Sequence, residues 1–237
     1  MRVQTKRLQV ARLQTLAVAG LTAVLVTACG GGDSGNGEAA KKGTQVATDA
    51  GNALEQSGAA HLKGSVTEQG QTGDVDLQLQ GADVSGNLTL GGQKVQLVST
   101  GGKIYAQAPA AFWSSFGAPE SISSQLDGKW VIVPQEAASS FDTFTLKGLA
   151  ESLRKPTGGT TINDPVSTAT VDGQKVVVVT QSDGSTLDVA STGQPYPLKA
   201  ENKGGDSPGT LTFSDFGKKT TITAPSGALD LTQLAGG

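Results

Sequence analysis

No disulfide can form within this chain, because its 237 residues include a single cysteine, Cys29. Histidine is equally scarce. His61 stands alone, so any histidine-based triad would depend on it, and one histidine with one cysteine leaves too few good ligands for zinc. Aromatic residues make up 4% of the chain against 33 glycines, which gives a light core for this length. A light core fits an internal cavity, and it fits a compositional bias of the source genome equally well. Long hydrophobic runs are also missing. The apolar stretch from Leu16 to Ala28 would span about 20 Å as a helix, short of the ~30 Å hydrocarbon core of a bilayer.

That short stretch follows Arg2, Lys6, Arg7 and Arg12, with no acidic residue among them, and ends in small residues. A positive head, a short apolar run and small residues at the end are the pattern of an export signal over residues 1–28. Val26-Thr27-Ala28-Cys29 resembles a bacterial lipobox, in which a diacylglycerol joins the cysteine thiol and the chain is cut just before it. A free thiol at an exposed end of an exported chain would invite oxidation, so Cys29 is expected to be the lipid attachment site. Two acyl chains hold stably where one is marginal. After cleavage 14 Lys+Arg face 21 Asp+Glu, a net charge of about −7, which argues against nucleic acid and against electrostatic adsorption to anionic lipid. The expected location is the outer face of the cell membrane.

Residues 29–43 then read as lipidated cysteine plus flexible tether: "GGGDSGNGEAAKKG" has no apolar period to bury. Residues 44–237 are expected to form one domain. Thr44 to Ser57 has a helical period, with Val46, Ala47, Ala50, Ala53 and Leu54 on one face. The period then changes to two. "DVDLQLQ", "GNLTL" and "KVQLV" put Val75, Leu77, Leu79, Leu88, Leu90, Val95 and Leu97 on one side, and Gly91-Gly92 and Gly101-Gly102 supply turns. This predicts an antiparallel meander with one wet and one covered face. A mixed, aromatic-bearing segment around "AAFWSSF" predicts a short helix and loop. A second helix carries Leu146, Leu149, Ala150 and Leu153 before Pro156. Strands resume around the Asp172-Gly173 and Asp183-Gly184 turns. Gly92-Gln93-Lys94-Val95 recurs as Gly173-Gln174-Lys175-Val176, through related half-sheets or repeated use of the same hairpin residues.

Nothing in the sequence demands an enzyme. His61 is expected on a strand edge without an acidic partner. Ser152 and Lys155 match the S-x-x-K spacing of penicillin-binding proteins, but Ser152 falls near a helix end where that chemistry needs a helix start. Asp74 and Asp76 alternate on the wet face of a strand. No cofactor or metal is implied.

The stretch "LDVASTGQPYPLKAENKGGDSPGTLTFSDFGKKTTITAP", residues 187–225, has a strand carrying Asp188, a Thr192-Gly193-x-Pro195 turn, a return strand and "FSDFG…ITAP". With "GGKIYAQ", "FW" and "GKW" upstream, it resembles the LppX/LprA/LprF/LprG family of actinobacterial lipoproteins. The resemblance implies an α+β fold, a strongly curved antiparallel sheet wrapped like half a barrel around a few helices. It also implies an apolar cavity between sheet and helices for acylated lipids or glycolipids. The seven meander residues named above are the candidates to line it. The expected partners are the membrane, through the lipid on Cys29, and such a lipid ligand; the chain is expected to be a monomer. The alternative is an envelope protein-interaction or sensory lipoprotein with a filled core.

Overall fold

The alternation seen in the sequence folds into a twelve-stranded sheet. Its order is β12-β6-β5-β4-β3-β2-β1-β11-β10-β9-β8-β7 in a computed structural model that describes residues 35–68, 70–134, 143–155, 159–204 and 208–231. These residues belong to one compact unit, Asp33–Gly237. The expected signal, Cys29 and the first part of the expected tether lie outside the described residues.

Two antiparallel meanders make up the sheet. The first comprises β1 (Ala60–Glu68), β2 (Gln71–Gln80), β3 (Asp83–Leu90), β4 (Gln93–Thr100), β5 (Lys103–Gln107) and β6 (Trp130–Ile132). The second comprises β7 (Ser167–Val171), β8 (Gln174–Thr180), β9 (Thr186–Ala190), β10 (Pro197–Asn202) and β11 (Gly209–Ser214). They join where β1 pairs antiparallel with β11, Leu62 opposite Phe213. The short β12 (Leu229–Asp230) adds parallel to β6, so one pair of an otherwise antiparallel sheet is parallel. It is strongly curved and does not close, in line with the expected α+β half-barrel.

Cross-strand register places the apolar residues in rows. Val75, Leu88 and Val95 form one row, and Leu62, Leu77, Gly86, Leu97 and Ala106 the next. Gly86 belongs there for a steric reason: a Cβ at this position would lie 2.1 Å from the Asp76 carbonyl oxygen. The backbones of β2 and β3 approach more closely there than any side chain allows.

Helix α1 (Gly43–Gln56) lies on the second meander through Val46, Ala47 and Ala50, against Val177, Val179, Leu187 and Val189. Its Leu54 reaches the first meander's core with Leu62, Leu77 and Leu79. The Gly43 amide donates to Asp164 Oδ1 at 2.7 Å, which satisfies one of the unpaired donors at the helix start. Helix α4 (Leu146–Arg154) is capped by Thr145, whose hydroxyl accepts from the Gly148 amide at 3.1 Å. Its Leu146, Leu149 and Ala150 complete the same core. The two helices meet at Gly51, where a Cβ would come within 2.7 Å of the Ala150 carbonyl oxygen. Arg154 ties them together by donating to Asn52 and Glu55.

Two expectations need correction. The last part of the expected tether is built into the fold. The Asn36 amide donates to the Ser191 carbonyl at 2.7 Å, and its Nδ2 donates to the Ala190 and Gly193 carbonyls. A 3₁₀ turn follows at Glu38–Ala40, with Glu38 buried and Lys41 bridging Glu38 and Asp49 at 2.7 Å each. A lack of apolar period hid this, because the docking is polar. His61, too, is not on an edge: β1 lies between β2 and β11, and the imidazole finds Asp76 across the strand pair.

Candidate functional site

Among the described residues three grooves open on the concave side, between the sheet and the segments that cover it. The first, of about 430 Å³, lies between the β3–β5 region and a helical pair, α2 (Ala110–Ser115) and α3 (Glu120–Leu126). Its walls are Leu90, Val95 and Ala106 from the sheet, and Phe112, Trp113, Phe116, Ala118, Ile122 and Leu126 from the helical segment, with Val133 and Leu231 beside them. The one polar side-chain atom among them, Trp113 Nε1, donates to the Ala108 carbonyl at 3.2 Å. Phe112 packs edge-on to Trp113 at a centroid distance of 5.2 Å and tilts against Phe116 at 4.8 Å. Phe116 is nevertheless 74% exposed at the groove mouth. This groove presents hydrocarbon and almost nothing else.

The second groove, about 270 Å³, is lined by Val66, Val75, Leu88, Leu90 and Phe144, with Gln71, Thr72 and Asp74 at its edge. A third, about 310 Å³, separates α1 and α4 from the second meander. Val179, Leu187, Ala200, Leu211 and Phe213 make its floor, Leu149 and Leu153 its roof, and Gln181, Asp183, Glu201 and Asn202 its polar mouth. Lys203 and Lys199 hold the Glu201 carboxyl below its ordinary range, first through hydrogen bonds to it, so this mouth is charged at neutral pH.

The structure divides the sequence-derived candidates among these places. Leu90 and Val95 line the α2–α3 groove; Val75, Leu88 and Leu90 line the second. Leu77, Leu79 and Leu97 line none of the three and sit fully buried in close-packed core beneath α1 and α4. Period-two reasoning finds inward side chains but cannot say which of them a helix covers. The α2–α3 side chains were missed as site residues. Their signal was present in the adjacent Phe112 and Trp113, with Phe116 one turn on.

On the convex face His61 Nε2 lies 2.7 Å from Asp76 Oδ1, and Lys63 Nζ lies 3.3 Å from Oδ2. The hydrogen bond from His61, and then that from Lys63, hold the Asp76 carboxyl below its usual value. Asp74 is exposed nearby. Ser152 lies in the last turns of α4, its hydroxyl donating back to the Gly148 carbonyl at 3.0 Å. Among the described residues no group of three or more His, Cys, Asp or Glu could hold a metal ion, and no helix is long and apolar enough to cross a membrane.

A curved, open sheet with helices and grooves on its concave side has counterparts among solved structures. The fold is that of LprF and LppX. The crystal structure of LprF from Mycobacterium bovis matches 78% of this chain and 97% of its own, with a TM-score of 0.53 and 16% identity. The crystal structure of the Mycobacterium tuberculosis lipoprotein LppX matches 76% of this chain and 98% of its own, with a TM-score of 0.50 and 14% identity. No protein-family model and no curated protein sequence matches this chain. At these identities LprF and LppX establish the fold, which the sequence motifs at residues 187–225 anticipated.

Proposed function

We propose that this chain is an exported lipoprotein, acylated on Cys29, that binds acylated lipids or glycolipids in the concave grooves and performs no covalent chemistry. The observation that carries the reading is the α2–α3 groove. Its volume of about 430 Å³ falls within the ~300–1,000 Å³ of ligand sites, and its walls offer no free polar side-chain group to a ligand. Only a hydrocarbon portion suits such walls, with binding of ~0.8 kcal/mol per methylene buried. The adjoining second groove, which shares Leu90 and has Gln71, Thr72 and Asp74 at its edge, can accept the less apolar part of the same molecule. The shared fold with a mycobacterial lipoprotein supports the anchored part of the reading.

Extraction and mass spectrometry of lipids that co-purify with the mature domain tests the ligand. An acylated species recovered from the parent, and lost when the α2–α3 groove is filled, is the expected result. A domain that carries and takes up no acyl lipid would overturn this reading in favour of a protein-interaction module. Anchoring is tested separately. Cys29→Ser should remove both the diacylglycerol mass and cleavage before residue 29. A variant that stays membrane-bound after high-salt and carbonate washes, with the mass of chain cleaved there, would refute the lipobox assignment.

A further inference from the structure

Strand direction gives the sheet two rims. The β9–β10 turn, the β7–β8 turn, the β2–β3 turn at Gly81 and the β4–β5 turn at Gly101-Gly102 all lie on one of them. The β8–β9 and β3–β4 turns lie on the other. The second and third grooves open at this other rim, through Gln71, Gly91 and Gly92 in one and Gln181, Asp183 and Asn202 in the other. Leu90, Val95 and Ala106 bring the α2–α3 groove to the same side.

The N-terminal segment is fastened at the opposite rim. Asn36 makes three hydrogen bonds to the β9–β10 turn, at Ala190, Ser191 and Gly193. Buried Glu38, and Lys41 between Glu38 and Asp49, secure the residues that follow. From Cys29 to the first described residue, Gly35, six peptide units extend at most about 20 Å at ~3.3–3.6 Å each. Without the contacts of Asn36, Glu38 and Lys41 together, chain would be free as far as Lys42, with a reach of about 45 Å. The sheet is about 17 Å tall along β9 and about 33 Å along β2, at ~3.3 Å per residue. Turning the groove mouths down onto the anchoring bilayer lifts the pinned rim by the full height of the sheet. A reach of about 20 Å does not span the taller meander; about 45 Å does.

We propose that the Asn36 pin holds the β9–β10 rim against the membrane that carries the Cys29 acyl chains, so that the groove mouths face away from it. This rests on the acylation of Cys29 proposed above. The partner of the pinned rim is that lipid surface, and exchange of ligand takes place on the far side, away from the anchoring membrane.

The test uses the full acylated chain in phosphatidylcholine vesicles, after mass measurement of the Cys29 adduct. Gln174→Cys marks the pinned rim and Lys94→Cys the groove rim, both at exposed positions. With Cys29 blocked by lipid, the introduced thiol takes a fluorophore, and energy transfer to a lipid-headgroup acceptor reports its distance from the bilayer. Transfer several-fold stronger from position 174 than from 94 is expected. The triple variant Asn36→Ala, Glu38→Ala, Lys41→Ala, which removes the Asn36 side-chain bonds together with the Glu38 and Lys41 contacts, should raise transfer from position 94 towards that from 174, with the domain still folded by calorimetry. Equal transfer from both rims in the parent, or stronger transfer from 94, would overturn the orientation whatever the variant does. An unacylated Cys29 would overturn anchoring and orientation together, and the mass distinguishes that case.

Discussion

Filling the α2–α3 groove separates an empty binding site from packed core in one pair of substitutions. Ala118 is half-buried on the groove wall, facing space of about 430 Å³. Leu77 has no exposure at all, and it packs between Leu62 and Gly86 in its row beneath the helices. An indole at position 118 occupies existing space, so Ala118→Trp should leave stability within the ~0.5 kcal/mol typical of changes outside the core. The same indole at position 77 overfills a close-packed interior and should cost ~1–3 kcal/mol or more. For a domain of this size each kcal/mol moves the midpoint by roughly 2–4 °C. Leu77→Trp should therefore melt about 2–12 °C below the parent by calorimetry, with Ala118→Trp close to it. Titration with an environment-sensitive fluorescent fatty acid then reads the groove. Ala118→Trp should lose most of the binding signal, and Leu77→Trp should retain it at temperatures where it is folded. If Ala118→Trp melts as low as Leu77→Trp, the groove is not free space. If it melts normally and binds as the parent does, the ligand lies elsewhere.

Three further outcomes follow from the packing and charges. At the crossing of α1 and α4, Gly51→Val should destabilise by ~1–3 kcal/mol in urea unfolding, because its Cβ meets the Ala150 carbonyl oxygen and Arg154 Cγ within 2.8 Å; an unchanged midpoint would refute the close crossing. A chain beginning at Thr44 should melt below one beginning at Gly35, having lost the Asn36 hydrogen bonds and the Lys41 bridges, and equal midpoints would restore the free-tether expectation. Burial, only partly offset by Lys199, pushes the Asp188 carboxyl above its ordinary 3.8, so the folded state loses stability as pH rises from that value through the raised one. Asp188→Asn should accordingly melt above the parent at pH 7, with the gap closing below pH 3.8, and a gap constant with pH would exclude this origin.

Much of the sheet could be derived from the sequence because its two signals are local. Alternation in "DVDLQLQ" and the glycine pairs at 91–92 and 101–102 fix faces and turns without reference to distant residues. The junction of the meanders was not legible, since pairing of β1 with β11 joins residues roughly 150 apart that share only ordinary strand composition. The same long-range pairing removes His61 from any edge. The repeated Gly-Gln-Lys-Val shows how far local grammar misleads. Gly92 and Gly173 lie on opposite rims. Val95 faces the concave core, while Val176 points to the other face from Val177 and Val179. The repeat therefore marks two turns rather than two equivalent halves.

The candidate site divides along the same line between local and distant information. Inward-facing strand residues follow from period, but whether one becomes core or groove wall depends on where the helices stop. Helices α1 and α4 cover Leu77 and Leu79 completely, and Gly51 lets them do so by bringing the two axes together. Helices α2 and α3 are only six and seven residues long, too short to close over the sheet edge, and Gly117, Ala118 and Pro119 break the helical path between them. A longer α2 would have carried Phe116 inward; its early end leaves that ring at a groove mouth. The open apolar space thus arises from an interruption of helix, not from the paucity of aromatics noted in the composition. Three of the chain's ten aromatic residues, Phe112, Trp113 and Phe116, stand at its walls.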